Sequence, residues 1–200
     1  TPTVERIVQR AIRVNHENRS PLLRHLLREH NWKKVLVFMA NKRACENIAM
    51  KFRKHGFSAE AFHGDLVQEG RAWALQALKE GTVNILFATD IAARGLDIDD
   101  VNCVINFDLP RSTEDYIHRV GRTGRAGKEG VAISFIGLED EAHFALIEKR
   151  CAVRLAKEEI AGFERVGELP QKEKGSAPIK GKRKSKKDKL REQMGEKPAS

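Results

Sequence analysis

Apolar residues fall in short runs, and amphipathic stretches separate them along most of the chain. Val, Ile, Leu, Phe and Ala dominate 35–40, 59–62, 83–88, 101–107 and 131–136, as in strands buried on both faces. Residues 4–14 predict a further strand, because Ile12 and Val14 alternate with charged neighbours. Helical spacing lies between the runs. In 20–29, Leu22, Leu23, Leu26 and Leu27 share one face behind Ser20-Pro21, a start signal. In 42–55, Ala44, Ile48 and Phe52 recur at four-residue intervals, with Asn41 as N-cap. Trp73, Ala74, Ala77 and Leu78 mark the inward face of 67–80, and Tyr116, Ile117 and Val120 that of 113–121. Phe144, Ala145, Ile147 and Glu148 give 139–151 a helical face behind an acidic start. Strands alternating with helices predict an α/β fold, a parallel sheet covered on both faces. Such sheets bind ligands beyond the carboxyl ends of their strands. Asn41 to Arg43, His63 to Asp65 and Thr89 to Asp97 fall there.

The pattern stops near residue 164. No aromatic follows Phe163, and Lys, Gly, Ser, Pro and Glu take over. Two segments are therefore expected: a folded domain over 1–163 and a basic, disordered tail over 164–200. Charge sharpens this division. The chain carries +9 over 200 residues, and 164–200 hold 12 Lys/Arg against 6 Asp/Glu, so most of the excess lies in the tail. Eight Lys/Arg and one Asp within 180–191 suit a tether on nucleic-acid phosphates, bound by counterion release. A purely solvated run is the other reading. Cys45, Cys103 and Cys151 have no metal-ligand spacing and fit a reducing, cytoplasmic setting. The longest apolar run, 35–40, is far below the ~18 residues of a membrane span, and no membrane partner is expected. The chain starts at Thr1 without a Met, as a fragment would.

The densest chemistry lies in His118-Arg119-Val120-Gly121-Arg122-Thr123-Gly124-Arg125. Glycine lets backbone approach a ligand closely, and arginine presents a permanently charged, planar fork that matches phosphate oxygens. Arg122 and Arg125 are three apart, so both can reach one anion if the segment is helical. There is no Gly-x-x-x-x-Gly-Lys-Ser/Thr loop to cradle phosphates. Asp140-Glu141-Ala142-His143 has the spelling of a magnesium-binding string. It follows the arginine turn instead of preceding it and falls in the first turn of a helix, so it is read as coincidence.

His118 to Arg125 resembles the sixth motif of DEAD-box RNA helicases. Residues 88–99, Ala-Thr-Asp-Ile-Ala-Ala-Arg-Gly-Leu-Asp-Ile-Asp, resemble their fifth, and Leu36 to Arg43 their fourth. His63-Gly64-Asp65 with Gln68 and Arg71 resembles the block between those two. Order and spacing match over roughly residues 4–163. Two positions depart from the pattern: Asn41 stands where Thr is usual, and Ala72 where an acid commonly follows the Gln-x-x-Arg arginine.

The resemblance implies a RecA-like fold and the C-terminal half of an ATP-dependent helicase. Arg122 and Arg125 become arginine fingers on the γ-phosphate of ATP, while Arg119 supports the local fold. Gly95, Asp97 and His118 belong to the nucleotide side, with Asp97 accepting a ribose hydroxyl and His118 bridging to the N-terminal helicase domain of the same protein. Arg43, Gly64, Gln68, Arg71, Thr89, Asp90 and Arg94 become RNA contacts, made mainly to phosphates and sugars, with Lys42 beside them. Mg2+ and most ATP phosphate contacts belong to the N-terminal domain, so this chain alone is expected to be inactive. Joined to that domain, it is expected to unwind short RNA duplexes. Two alternatives stay open: a non-catalytic RNA-binding module acting through the basic tail, and a DNA-directed helicase of the same superfamily. His118, where many relatives carry Gln, and the 88–99 block speak against the latter.

Overall fold

The computed structural model describes residues 6–94, 98–125, 127–171, 191 and 193–195. Gly95, Asp97 and most of the tail, including 172–190, lie outside the described residues. In chain order the elements are β1 (Ile7–Arg13), α1 (Arg19–His30), β2 (Val35–Phe38), α2 (Lys42–Lys54), β3 (Ala59–Phe62), α3 (Gln68–Glu80), β4 (Ile85–Ala88), α4 (Asp90–Ala93), β5 (Cys103–Asn106), α5 (Thr113–Val120), β6 (Gly130–Ile136), α6 (Glu141–Cys151) and β7 (Lys157–Glu158). The seven strands form one sheet, ordered β3-β4-β2-β5-β6-β1-β7, and every pairing is parallel.

The two-residue alternation of a strand divides the core. Val35 and Val37 join one cluster with Leu22, Leu26, Ile48 and Phe52 of α1 and α2. Leu36 and Phe38 join the other with Leu78, Tyr116 and Phe144 of α3, α5 and α6. Helices therefore cover both faces, as the alternating pattern predicts. Burial pushes the Cys45 thiol up to about 12, so it is protonated and inert at neutral pH.

Three inward assignments need correction. Trp73 is 57% exposed and Ile117 55%, and Ala145 is also exposed. In each helix the inward stripe runs at i, i+3, i+4 through residues that fill it: Ala74, Ala77 and Leu78 in α3, Tyr116, Arg119 and Val120 in α5, and Phe144, Ile147 and Glu148 in α6. Trp73 and Ile117 stand one residue before or after the stripe, about 100° round the helix. In α5 the buried stripe includes an arginine, which a hydropathy pattern cannot anticipate. The sequence pattern also missed α4, hidden inside the 88–99 block, and β7, too short to show a period. Arg10 of β1 joins β7 by two 2.9 Å hydrogen bonds to Glu158.

Residues 6–169 belong to one compact unit, whereas the sequence pattern breaks at 163. Asn15 exchanges two hydrogen bonds with the Val166 backbone, at 2.8 and 2.9 Å. Arg165 donates to the carbonyls of Ile136 and Gly137. These polar anchors hold 164–169 with no aromatic to announce them. The second unit, Pro170–Ser200, is described only at 170–171, 191 and 193–195. Among the described residues no helix is long and apolar enough to cross a membrane.

Candidate functional site

Loops at the carboxyl ends of β2, β3, β4 and β5 enclose a cavity of about 750 Å³. Arg43, Gly64, Thr89, Asp90 and Arg94 line it, with Lys42, Asp65 and Arg111. Capping explains much of this placement. Asn41 accepts a 2.9 Å bond from the Ala44 amide at the start of α2, and Thr89 caps α4 through Ala92. Asn41 therefore serves where Thr is usual. Gln68 and Arg71 do not line the cavity. They bond to each other at 2.9 Å on the first turn of α3.

The cations of this groove fall into two kinds. Lys42 is paired to Asp65 at 2.7 Å, and Arg94 to Asp115. Burial alone would raise the Asp115 carboxyl, but hydrogen bonds from Arg94 and the Ser112 hydroxyl outweigh it and lower the pKa below the ordinary value. Arg43 and Arg111 are exposed, and no ion pair holds either among the described residues. Asp90 faces the groove, yet both its carboxylate oxygens are bound by Arg119 at 2.7 and 2.6 Å. Arg119 is 3% exposed. It also donates to Asn106 Oδ1 and Asp108 O, with its guanidinium 4.7 Å over the Phe38 ring.

Helix α5 leads from this groove to the arginine turn. Ser112 caps its start, and His118 stands exposed near its end. The turn is anchored at the start of β5. Thr123 donates to the carbonyls of Val101 and Asn102, and the Val101 amide donates to Arg122 O at 3.2 Å. Gly124 takes φ +71°, and a Cβ there would lie 2.5 Å from Ile7 Cγ1, so this glycine meets a conformational and a steric demand together. Gly130, opening β6, lies flush against the same turn, where a Cβ would collide with Thr123 Oγ1 and the Gly124 amide. Gly130→Ala is expected to cost about 1–3 kcal/mol of stability by overpacking and to displace the turn. Urea unfolding checks the first effect and a crystal structure of the variant the second.

Arg122 and Arg125 do come together. Arg122 Nη2 donates to Ala93 O at 3.1 Å, and Arg125 Nε to Gly121 O at 3.1 Å. Their Nη1 atoms approach Asp99 Oδ1 and Oδ2 at 3.6 and 3.7 Å. Asp99 closed the block quoted from the sequence, but nothing in the spacing singled it out. Arg111 and Asp115 were missed as well, because nothing local links them to β2 or α4. Asp140 bonds Arg19 at 2.8 Å, while Glu141 holds Arg13 and Arg165. The Asp-Glu-Ala-His string is thus engaged in ion pairs at the helix start.

Residues 18–127 match the model of the helicase conserved C-terminal domain. The human protein named Probable ATP-dependent RNA helicase DDX23 is 43% identical over 140 residues, covering 70% of this chain and 17% of that protein. DEAD-box ATP-dependent RNA helicase CshA of Bacillus subtilis is 42% identical over 147 residues, covering 74% of this chain and 30% of that protein. The chain thus spans less than a third of either relative. Among solved structures, that of the E. coli DEAD-box protein SrmB bound to regulator of ribonuclease activity A (RraA) is similar at 36% identity and TM-score 0.77, covering 82% of this chain and 97% of that chain. The C-terminal domain of the DEAD-box protein Dbp5 is similar at 30% identity and TM-score 0.73, covering 78% and 92%. The RecA-like fold expected from the motifs is the fold these structures share.

Proposed function

Because this chain belongs to the helicase conserved C-terminal domain family, as the corresponding domain of a DEAD-box protein, we propose that it is the half of an ATP-dependent RNA helicase that supplies the arginine fingers and part of the RNA track. One observation carries the reading. Arg122 and Arg125 converge on a single carboxylate, Asp99, so the turn is already organised around an anion. A γ-phosphoryl group gains negative charge on its oxygens as it transfers, and guanidinium forks aimed at it stabilise that charge. ATP would bind between this turn and the N-terminal helicase domain of the same protein. That domain would contribute the phosphate-cradling loop and the acids for Mg2+. Asp97 would accept a ribose hydroxyl, with Gly95 on the same nucleotide side, and His118, exposed at the end of α5, would meet the partner domain. The test is RNA-stimulated ATP turnover of the parent protein with either arginine truncated.

The groove at the strand ends is proposed as the RNA surface. Gly64, Thr89 and Asp90 would offer backbone and hydroxyl groups, Asp90 through its main chain because Arg119 occupies its carboxylate. Arg43 and Arg94 would meet phosphates, with Gln68 and Arg71 as an ordered pair on the adjoining helix. Contacts to phosphate and sugar position RNA without reading its sequence, and 2′-hydroxyls would favour RNA over DNA. Clamping RNA here while the cleft closes on ATP would strain and part a short duplex. Arg43→Ala is expected to weaken all RNA sequences alike and to lower the slope of log K against log salt by about 1, read from fluorescence titrations between low and moderate salt. A slope equal to wild type would remove Arg43 from the track.

The charge excess in 180–191 favours an additional role for the tail as an RNA tether. Deleting 172–200 tests it better than deleting 164–200, because Arg165 and Val166 hold the fold. If RNA affinity disappears with that deletion while the groove variants change nothing, the chain is instead an RNA-binding module acting through its tail. The three free cysteines support a reducing, cytoplasmic setting.

A further inference from the structure

We propose that Asp99 is a positioning residue: its carboxylate aligns Arg122 and Arg125 as a pair before ATP arrives. The inference rests on the arginine-finger reading and adds to it a residue outside the two fingers. Two guanidiniums repel each other, and each loses rotamer freedom when it is fixed. Convergence therefore needs an anion between them, and Asp99 fills that place, 3.6 Å from Arg122 Nη1 and 3.7 Å from Arg125 Nη1.

The carboxylate is itself fixed relative to the turn. Two residues on, Val101 donates its amide to Arg122 O and accepts at its carbonyl from Thr123 Oγ1. Asp100 between them adopts φ +63°, a left-handed conformation that Asp tolerates better than most residues. Asp99 and the arginines thus stand on either side of one backbone bridge.

The approach is also too long for a close hydrogen bond. Asp99 Oδ1 is buried and accepts none among the described residues. A guanidinium carries five N–H donors, and a carboxylate held at this distance directs each fork by charge without closing a hydrogen bond on those donors. A tight bidentate clasp, such as Asp90 makes on Arg119, would occupy them. Asp99 is therefore built to aim the pair, not to sequester it.

The experiment uses the parent protein with RNA at saturation. Asp99→Asn removes the charge at constant shape, and Asp99→Glu keeps it. Misplacing a catalytic group by ~1 Å costs up to about 100-fold, so Asp99→Asn should lower kcat by about 10- to 100-fold. KM for ATP should change less than about twofold, because an interaction made only in the transition state appears in kcat. Asp99→Glu should recover most of the loss, and RNA affinity and thermal unfolding should stay near wild type in both. A kcat for Asp99→Asn equal to or above wild type overturns the proposal. So does an equal loss in both variants accompanied by weaker RNA binding, which marks a structural role. If Asp99→Asn does not fold, Asp99→Glu decides alone: near-normal kcat supports charge-based alignment, and a large loss contradicts it. Arg122→Ala and Arg125→Ala run alongside. Turnover retained in those two overturns the finger reading itself, whereas their inactivity with normal Asp99→Asn overturns only the role of Asp99.

Discussion

Arg122→Ala and Arg125→Ala should each lower RNA-stimulated ATP turnover of the parent protein by about 10³- to 10⁵-fold, the range an arginine finger contributes. The loss should appear in kcat, because the fingers act on charge that exists only as the phosphoryl group transfers. RNA affinity should change little, since both residues sit at the turn between α5 and β6 and neither lines the groove at the strand ends. Lysine cannot substitute. It keeps the charge but loses the planar fork, and a single ammonium cannot meet Asp99 or a main-chain carbonyl while also presenting two parallel N–H groups to phosphate. Arg125→Ala should leave the fold intact, because its side chain is 43% exposed and its local bond is to Gly121 O.

Arg119 should behave in the opposite way. Arg119→Met is expected to destabilise the domain by about 3–5 kcal/mol, the usual consequence of removing one partner of a buried ion pair. At roughly 2–4 °C per kcal/mol for a domain of this size, the melting temperature should fall by about 10 °C. The side chain is 3% exposed, and its departure leaves the Asp90 carboxylate, Asn106 Oδ1 and Asp108 O without their donor. Arg119→Lys should be nearly as damaging, since an ammonium cannot make both bonds to Asp90 and reach the two acceptors on the far side. Adding Asp90→Asn to Arg119→Met should cost less than the two single losses together, because the stranded charge is gone. Calorimetry of the four proteins gives this cycle. Full additivity would mean that the pair contributes nothing of its own.

His-Arg-Val-Gly-Arg-Thr-Gly-Arg holds three arginines, and the structure gives them two environments: Arg119 is buried against Asp90, while Arg122 and Arg125 stand beside Asp99 at the turn. The sequence reading separated Arg119 from the other two only through the resemblance, since a guanidinium in a basic turn has no local mark of burial. The mark is tertiary: Asp90 and Asn106 reach Arg119 from different strands' ends. The strands were legible because a parallel sheet requires nearly unbroken apolar runs, and β2, β4 and β5 are buried at every position. Helix faces were legible to within one residue, which is why Trp73 and Ile117 were turned inward too readily. Arg43, Gly64, Thr89 and Asp90 could be found because each lies within a few residues of a strand's carboxyl end, whereas Asp115 lies farther from the end of β5. Asp99 could not be found, because a carboxylate four residues before a strand resembles any turn aspartate until the fold brings Arg122 and Arg125 to it. Nor could 164–169, where polar side chains replace the apolar pattern as the anchor.

Single-turnover hydrolysis of ATP by the RNA-saturated parent protein, wild type against Arg122→Ala, addresses the central claim with binding and product release removed. The account predicts a chemical step slowed by at least about 10³-fold with RNA still bound. A chemical step at the wild-type rate would mean that the arginine turn does not act on the γ-phosphoryl group.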